Sequence, residues 1–365
     1  MKKNKRILVV SGSSGGHIFA AMAFIEEWKK TYLVQENDLL LILPKKSIRA
    51  HLKEIPCAVK YIDGRSFNLS LGLRNLFCFW SFLKALFESF FILIFFKPEI
   101  VIAFGSIVCV PIVWWGWFFR RKVVLHEQNV FPGRANLFLS WFADIAAVSF
   151  EETMPYFNSL AKEVKLTGLP LRETLVKKES FLARNFFGFS NDNFTLLAMG
   201  GSQGSSSVNH LVSSACVQLE KEYLKKLNLI HLSAEFDMPY LVDVYKKSGI
   251  NARVFAFLGQ MSDAYSAADL VISRAGALSI AEIAFFKLPA LLIPYPYAYQ
   301  HQQVNARVLE KKGVAEVLEE ASLSVKELRD KLKDFMDNPS RLAIMRDNYG
   351  ESIDSSAAKR LVEII

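Results

Sequence analysis

"RILVVSGSSGGHIFAAMAFIEEW" (Arg6 to Trp28) decides the fold. A short apolar strand runs into a turn of glycines and serines, and the turn opens a helix that carries Ile18, Met22, Ile25 and Trp28 on one face. Glycine in such a turn lets backbone N–H groups approach an anion, and the helix aims the positive end of its dipole at the same spot. The plan recurs in the second half as "LLAMGGSQGSSSVNHLV" (Leu196 to Val212), and "EIVIAFGS" is matched there by "DLVISRAG". Further apolar segments, "LLLIL", "KVVLHE", "IAAVS", "NLIHL", "RVFAF" and "ALLIP", alternate with helix-length stretches. The expected fold class is therefore α/β, with two Rossmann-like domains whose parallel sheets face each other across a cleft. A length of 365 residues suits two domains. Gly168 and Pro170 interrupt the pattern within "KLTGLPLRET" (Lys165 to Thr174), which places the hinge there and the domains at 1–167 and 168–350.

Charge divides the halves. The net +8 lies wholly in residues 1–165, which hold 21 basic and 13 acidic side chains, whereas the remainder is balanced. A one-sided basic excess points to an anionic partner for the first half: nucleic acid, an acidic membrane or a phosphate-bearing substrate. Cys57, Cys78, Cys109 and Cys216 lie far apart in apolar contexts with no metal-ligand spacing, so they are expected to be buried free thiols in a reducing cytoplasm. The basic start "MKKNKR" leads into a strand and glycine loop rather than an apolar secretory segment.

"LFCFWSFLKALFESFFILIFF" (Leu76 to Phe96) carries nine aromatics in 21 residues. Its length would span a bilayer, but Lys84 and Glu88 fall mid-segment, where each costs roughly 2.5 to 3.5 kcal/mol. With Ser81 they make a narrow polar stripe. Two readings stand: a helix that packs one face on the sheet and offers Phe87, Phe90 and Phe91 to a bilayer surface flanked by Arg65, Arg74 and Lys97, or an ordinary core helix. "VPIVWWGWFFRRK" adds three tryptophans and a basic end, with the same two readings.

Neither glycine loop has the lysine of a Walker motif or the spacing of a dinucleotide fingerprint. In "SRAGALSIAEIAFFKLPALLIPYPYAYQHQQVNARVL" (Ser273 to Leu309), a glycine turn after a strand starts a helix bearing Glu282. A carboxylate there suits the two hydroxyls of a ribose, or it is a solvated or capping residue; if buried in this apolar helix, it needs a partner.

Taken together and in order, "GSSGGH", "HEQN" (His126 to Asn129), "GLPLR" (Gly168 to Arg172), "GGSQG" (Gly200 to Gly204), "SRAGALSIAEI" and "HQQVNA" resemble the MurG family of N-acetylglucosaminyltransferases across essentially the whole chain. The resemblance implies a GT-B fold whose last helix, about Glu351 to Ile365, crosses back to the N-terminal domain. It implies inverting transfer of GlcNAc from UDP-GlcNAc to the C4 hydroxyl of MurNAc in lipid I, a polyprenyl-pyrophosphate carrier, to give lipid II for peptidoglycan. Cell-wall biogenesis, cell shape and division, peripheral attachment to the cytoplasmic face of the inner membrane, and association with other cell-wall enzymes belong to the same expectation; nucleic acid and cofactors do not. By the same resemblance, Ser14, Gly15, Gly16 and His17 form the acceptor pyrophosphate loop. Asn129, Arg172, Ser202, Gln203, Leu258, Arg274, Glu282, Gln302 and Gln303 serve the donor.

Inversion needs a base for the acceptor hydroxyl and stabilisation of the departing UDP. His17 suits the first task, with Glu127 a weaker competitor, yet His17 equally fits a positioning or helix-start role. Amides and dipole at "GGSQG" suit the second without a metal, and no Asp-x-Asp pattern would supply one. The first loop departs from the family pattern, lacking Thr before the paired glycines and Pro after Phe19. Two alternatives remain open: a related UDP-sugar transferase with another lipid acceptor such as diacylglycerol, and a non-catalytic nucleotide-sugar-binding module at the membrane surface.

Overall fold

Strands buried on both faces of a parallel sheet need continuous apolar runs, and the central strands of this chain have them. The computed structural model describes every residue except 1–4, 33–34, 46–54, 56, 64–72, 201–203, 297–300 and 351–355; in helix 73–96 it describes side chains from Trp80 onward. The chain forms two compact units, Met1–Arg172 with Ser355–Ile365, and Glu173–Asp354.

The first unit holds β1 (Ile7–Ser11), β2 (Leu39–Pro44), β3 (Ala58–Ile62), β4 (Ile100–Phe104), β5 (Lys122–Glu127), β6 (Ile145–Val148) and β7 (Glu163–Leu166). They form a parallel sheet in the order β3-β2-β1-β4-β5-β6-β7. The second holds β8 (Phe194–Met199), β9 (Leu227–Leu232), β10 (Asn251–Phe255), β11 (Leu270–Ser273), β12 (Ala290–Leu292) and β13 (Ala315–Val317), also all parallel, in the order β10-β9-β8-β11-β12-β13. In each sheet the strand order reverses beside the first strand, between β1 and β4 and between β8 and β11. The crevice beyond the carboxyl ends of such a pair is where open α/β sheets take ligands. The glycine loops quoted above leave β1 and β8 at these two points.

Alternation along each strand assigns the two faces of the first sheet. Leu8, Val10, Val101 and Ala103 pack with Ile92 and Leu93 of helix Leu73–Phe96 and with Ile112 and Val113 of helix Cys109–Phe118. Ile7, Val9, Ile100 and Ile102 pack with Phe24, Ile25 and Trp28 of helix Gly15–Thr31, and with Leu361 and Val362 of helix Ala357–Glu363. That last helix is tied down as well as packed: Arg360 Nε donates to the Thr167 carbonyl at 2.9 Å, and Lys122 Nζ to the carbonyls of Ile364 and Ile365 at 3.1 and 3.0 Å.

Helix Leu73–Phe96 has an outer face of large aromatics. Trp80, Phe87, Phe91 and Phe95 are each at least half exposed, and Trp114, Trp117, Phe118, Phe138 and Trp141 extend the apolar surface on the same unit. Phe90, expected with Phe87 and Phe91, instead points inward. It is half-buried, its ring 4.9 Å from that of Trp115 and 5.9 Å from Phe119, because its helical position faces the neighbouring helix Cys109–Phe118. Lys84 and Glu88 pair along the helix at 3.9 Å, and Ser81 is buried. Arg65 and the side chain of Arg74 lie outside the described residues, whereas Lys97 is exposed. Among the described residues no helix is long and apolar enough to cross a membrane. Cys57, Cys109 and Cys216 are free thiols, the last two buried.

Leu361, wholly buried, completes the core of the first unit from the far end of the chain. Leu361→Ala is expected to lower that unit's stability by about 2 to 5 kcal/mol, read as an earlier transition in urea denaturation. An unshifted transition would mean that the last helix adds nothing to the fold.

Candidate functional site

At the first switch point, the turn after β1 is set by lack of room. A Cβ on Gly12 would lie 2.7 Å from Ser106 Cβ and 2.8 Å from His17 Nδ1. Across the crevice, Gly105 sits at φ +81°, and beside it Ser106 holds φ +85°, a left-handed conformation that a side chain disfavours and that marks local strain. Ser14 stands at the N-cap of helix Gly15–Thr31, and its carbonyl accepts from the amides of His17 and Ile18, both at 3.1 Å. Its Oγ lies 2.7 Å from His17 Nδ1, so the first helical turn grips the imidazole. The other ring nitrogen, Nε2, faces Gly105, 3.1 Å from where a Cβ would stand. Nδ1 thus serves the helix start, and Nε2 is turned to Gly105 just after the end of β4. Burial lowers the pKa of His17 to about 4, so the ring is neutral at pH 7. Gly15 is buried, whereas a side chain on Gly16 would meet nothing within 4 Å.

Glu127 ends β5 and is buried, but its carboxylate is fully engaged. Oε1 accepts from the Asn129 amide at 2.9 Å and from Asn129 Nδ2 at 3.3 Å; Oε2 accepts from the Gly133 amide at 3.0 Å and Asn136 Nδ2 at 2.8 Å. Four donors satisfy both oxygens of one carboxylate and hold it in place. The geometry makes Glu127 a brace of the loop that follows β5. The sequence did not single out Asn136. Its Nδ2 also donates to the His126 carbonyl at 3.2 Å, while its buried Oδ1 has no donor among the described residues, a demand that a ligand hydroxyl or a water would meet. His126 is wholly buried, with Nε2 3.1 Å from the Gly168 carbonyl and Nδ1 3.1 Å from Gln128 Nε2. Asn129 and Arg172, grouped by resemblance with the donor residues, lie in the first unit. The Arg172 guanidinium is stacked 4.5 Å from the Phe19 ring centre, two residues beyond His17.

At the second switch point the backbone is as crowded. A Cβ on Gly200 would lie 2.5 Å from the Ser205 amide nitrogen, and one on Gly204, at φ +70°, 2.6 Å from Ala234 Cβ. Ser202 and Gln203 lie outside the described residues. Arg274 follows β11 and bridges the switch point: its amide donates to the Met199 carbonyl at 3.4 Å, and Nη2 donates to Ser205 Oγ at 2.8 Å. Nη1 donates to Glu320 Oε2 at 2.6 Å and to the carbonyls of Ile293 and Pro294. Glu282 is buried, and its partner is Tyr265, whose hydroxyl donates to Oε2 at 2.8 Å. Leu258 is buried in the loop after β10. Gln302 Oε1 accepts from the Tyr295 amide at 2.9 Å, and Gln303 Nε2 donates to Glu319 Oε1 at 3.4 Å. Arg274, Gln302 and Gln303 thus gather with Tyr295, Glu319 and Glu320. None of these last three carries a sequence signal, because each is defined only by what the sheet brings beside Arg274.

Residues 7–148 match the glycosyltransferase family 28 N-terminal domain and residues 195–361 the glycosyltransferase family 28 C-terminal domain. The chain is 33% identical to the UDP-N-acetylglucosamine–N-acetylmuramyl-(pentapeptide) pyrophosphoryl-undecaprenol N-acetylglucosamine transferase of Thermoanaerobacter sp. (strain X514), with 99% of each chain covered. It is 31% identical to the protein of the same name from Coxiella burnetii (strain Dugway 5J108-111), over 98% of this chain and 97% of the other. Among solved structures it resembles Acinetobacter baumannii MurG, with a TM-score of 0.77 at 24% identity and 98% of each chain covered. It also resembles Anabaena HepE in complex with UDP and glucose, with a TM-score of 0.63 at 15% identity and 99% of each chain covered. The architecture is GT-B.

His126 and His231 are wholly buried, and burial pushes each from 6.5 to about 4. Below pH 6.5 the unfolded chain takes up protons that the folded chain refuses, so stability present at neutral pH is lost as pH falls through that window towards 4. Urea midpoints are expected to drop progressively from pH 6.5 downward; a flat midpoint would show that these rings are protonated in the fold.

Proposed function

Because the chain belongs to the MurG family within glycosyltransferase family 28, we propose that it transfers GlcNAc from UDP-GlcNAc to the C4 hydroxyl of MurNAc in lipid I, forming lipid II with inversion at the anomeric carbon. The carrying observation is that relatives of that activity match over nearly the full length, both halves together. The acceptor oxygen attacks the anomeric carbon, the bond from that carbon to the β-phosphate oxygen breaks, and UDP departs with the electron pair. The hydroxyl proton passes to a base.

For that base the first switch point offers His17. When Nδ1–H donates to Ser14 Oγ, the Nε2 lone pair is free on the crevice side. A ring held neutral is ready to accept a proton throughout the neutral range, although its low basicity limits the driving force. Ser14, Gly15 and Gly16 take the acceptor pyrophosphate on the helix start. In the second unit, the departing diphosphate is met at the loop of Ser202 and Gln203 and by Arg274. Glu282 serves the ribose, the backbone at Leu258 the uracil, and Gln302 and Gln303 the sugar, while the family resemblance alone assigns Asn129 and Arg172 to the donor. The exposed aromatic face carrying Phe87, Phe91 and Phe95, on the basic half of the chain, rests on an anionic membrane surface at the cytoplasmic side, within reach of a polyprenyl acceptor and other cell-wall enzymes.

Transfer of radiolabelled GlcNAc to a short-chain lipid I analogue, with diacylglycerol in parallel, tests the reading: product is expected only from lipid I. His17→Ala should lower turnover about 10²- to 10⁴-fold with UDP-GlcNAc affinity retained; lost donor affinity would place His17 in the other subsite. Replacing Phe87, Phe91 and Phe95 together with Ser should weaken binding to anionic vesicles by about tenfold or more at an unchanged melting temperature. Phe90→Ser should instead lower the melting temperature.

A further inference from the structure

Arg274 is nearly buried at the second switch point, and its guanidinium is already compensated. Glu320, from the loop after β13, spans the crevice: Oε2 accepts from Arg274 Nη1 at 2.6 Å, and Oε1 accepts from Ser207 Oγ at 2.5 Å. Ser207 lies in the first turn of helix Ser206–Val217, which opens directly after the Gly200–Gly204 loop, and Arg274 Nη2 reaches the same turn through Ser205 Oγ at 2.8 Å and Ser207 Oγ at 3.3 Å. The carboxylate therefore joins a guanidinium, a hydroxyl and the positive end of a helix dipole, three features that also draw a phosphate. Burial would raise the pKa of Glu320, but the hydrogen bonds from Arg274 and Ser207 outweigh it and keep the group an anion. Its side chain is about one-fifth exposed against 6% for Arg274, so it is the member of the pair with a way out to solvent.

Resting on the donor reading of this unit, we propose that Glu320 is a resident stand-in for the donor diphosphate: it holds Arg274 aimed across the switch point, and Arg274 exchanges it for phosphate when the donor binds. An unpaired buried guanidinium would be costly, so the carboxylate is what allows Arg274 to wait in place. The exchange also sets a limit on affinity, since UDP must displace an anion that returns when UDP leaves. Glu320 is on this account a positioning residue that weakens the hold on the product.

The test is calorimetric titration of the full chain with UDP and with uridine, for the wild type and Glu320→Gln, at low and high salt. Glu320→Gln is expected to bind UDP about three- to tenfold more tightly at low salt, with the gain shrinking as salt rises and uridine affinity unchanged. UDP binding that is unchanged or weaker, or uridine affinity that moves equally, would overturn the proposal. A structure of the wild-type chain with UDP gives a second reading that needs no variant: Arg274 on phosphate and released from Glu320 is expected, and Arg274 still on Glu320 with UDP seated would refute the exchange. Failure of the wild type to bind UDP at all would instead overturn the donor reading itself, and this inference with it.

Discussion

Two turns without room for a side chain govern this molecule. At Gly12 and Gly200 a single extra carbon would collide with the atoms that follow or face the turn, at 2.7 and 2.5 Å. That crowding brings the first turn of each helix hard against the end of its strand. Ser14 and His17 are thereby set beside Gly105 on one sheet, and Ser205 and Ser207 beside Arg274 on the other. The reversal of strand order at the same places leaves the crevices open. Sheet order and glycine turn are thus one constraint with two parts, and the polar groups are arranged by it rather than by their own attractions.

The two switch points use opposite electrostatics. Around β1 the groups are neutral or locally saturated: burial keeps His17 and His126 uncharged, and Glu127 is spent on four donors. Around β8 a full cation and anion face each other as Arg274 and Glu320. Proton transfer suits the first surrounding, where an uncharged nitrogen is available, and charge stabilisation suits the second. A single chain folded on one repeated plan thereby sets two unlike electrostatic surroundings at equivalent points of its two sheets.

Legibility in the sequence followed burial. The ten strands expected from apolar runs are all present, since strands covered on both faces must be apolar throughout. The three that gave no signal, β3, β7 and β13, are edge strands; β3 and β7 are largely exposed and carry residues such as Lys60, Glu163 and Lys165. The glycine loops, His17 and Glu282 stood out from the residues themselves, whereas Arg274 was marked only by the resemblance to the family. Asn136, Tyr265 and Glu320 were not, because each acquires meaning only from a neighbour distant in sequence: Asn136 from His17 and Gly105, Tyr265 from Glu282, Glu320 from Arg274. The need of a buried Glu282 for a partner was readable; the identity of that partner was not. Phe90 and Phe91 show the finer limit, as adjacent members of one apolar run turn to opposite sides of a helix.

The segment that closes the first unit lies beyond the whole of the second. Leu361 and Val362 fill a core whose other walls, from Ile7 to Ala147, are made before any of the second unit. On the ribosome, therefore, the half that is synthesised first must wait unfinished, with the seat of its last helix open, while the half synthesised later gathers all of its own strands. The order of completion runs against the order of synthesis, and the apolar seat for Leu361 stays uncovered by its own helix during that interval.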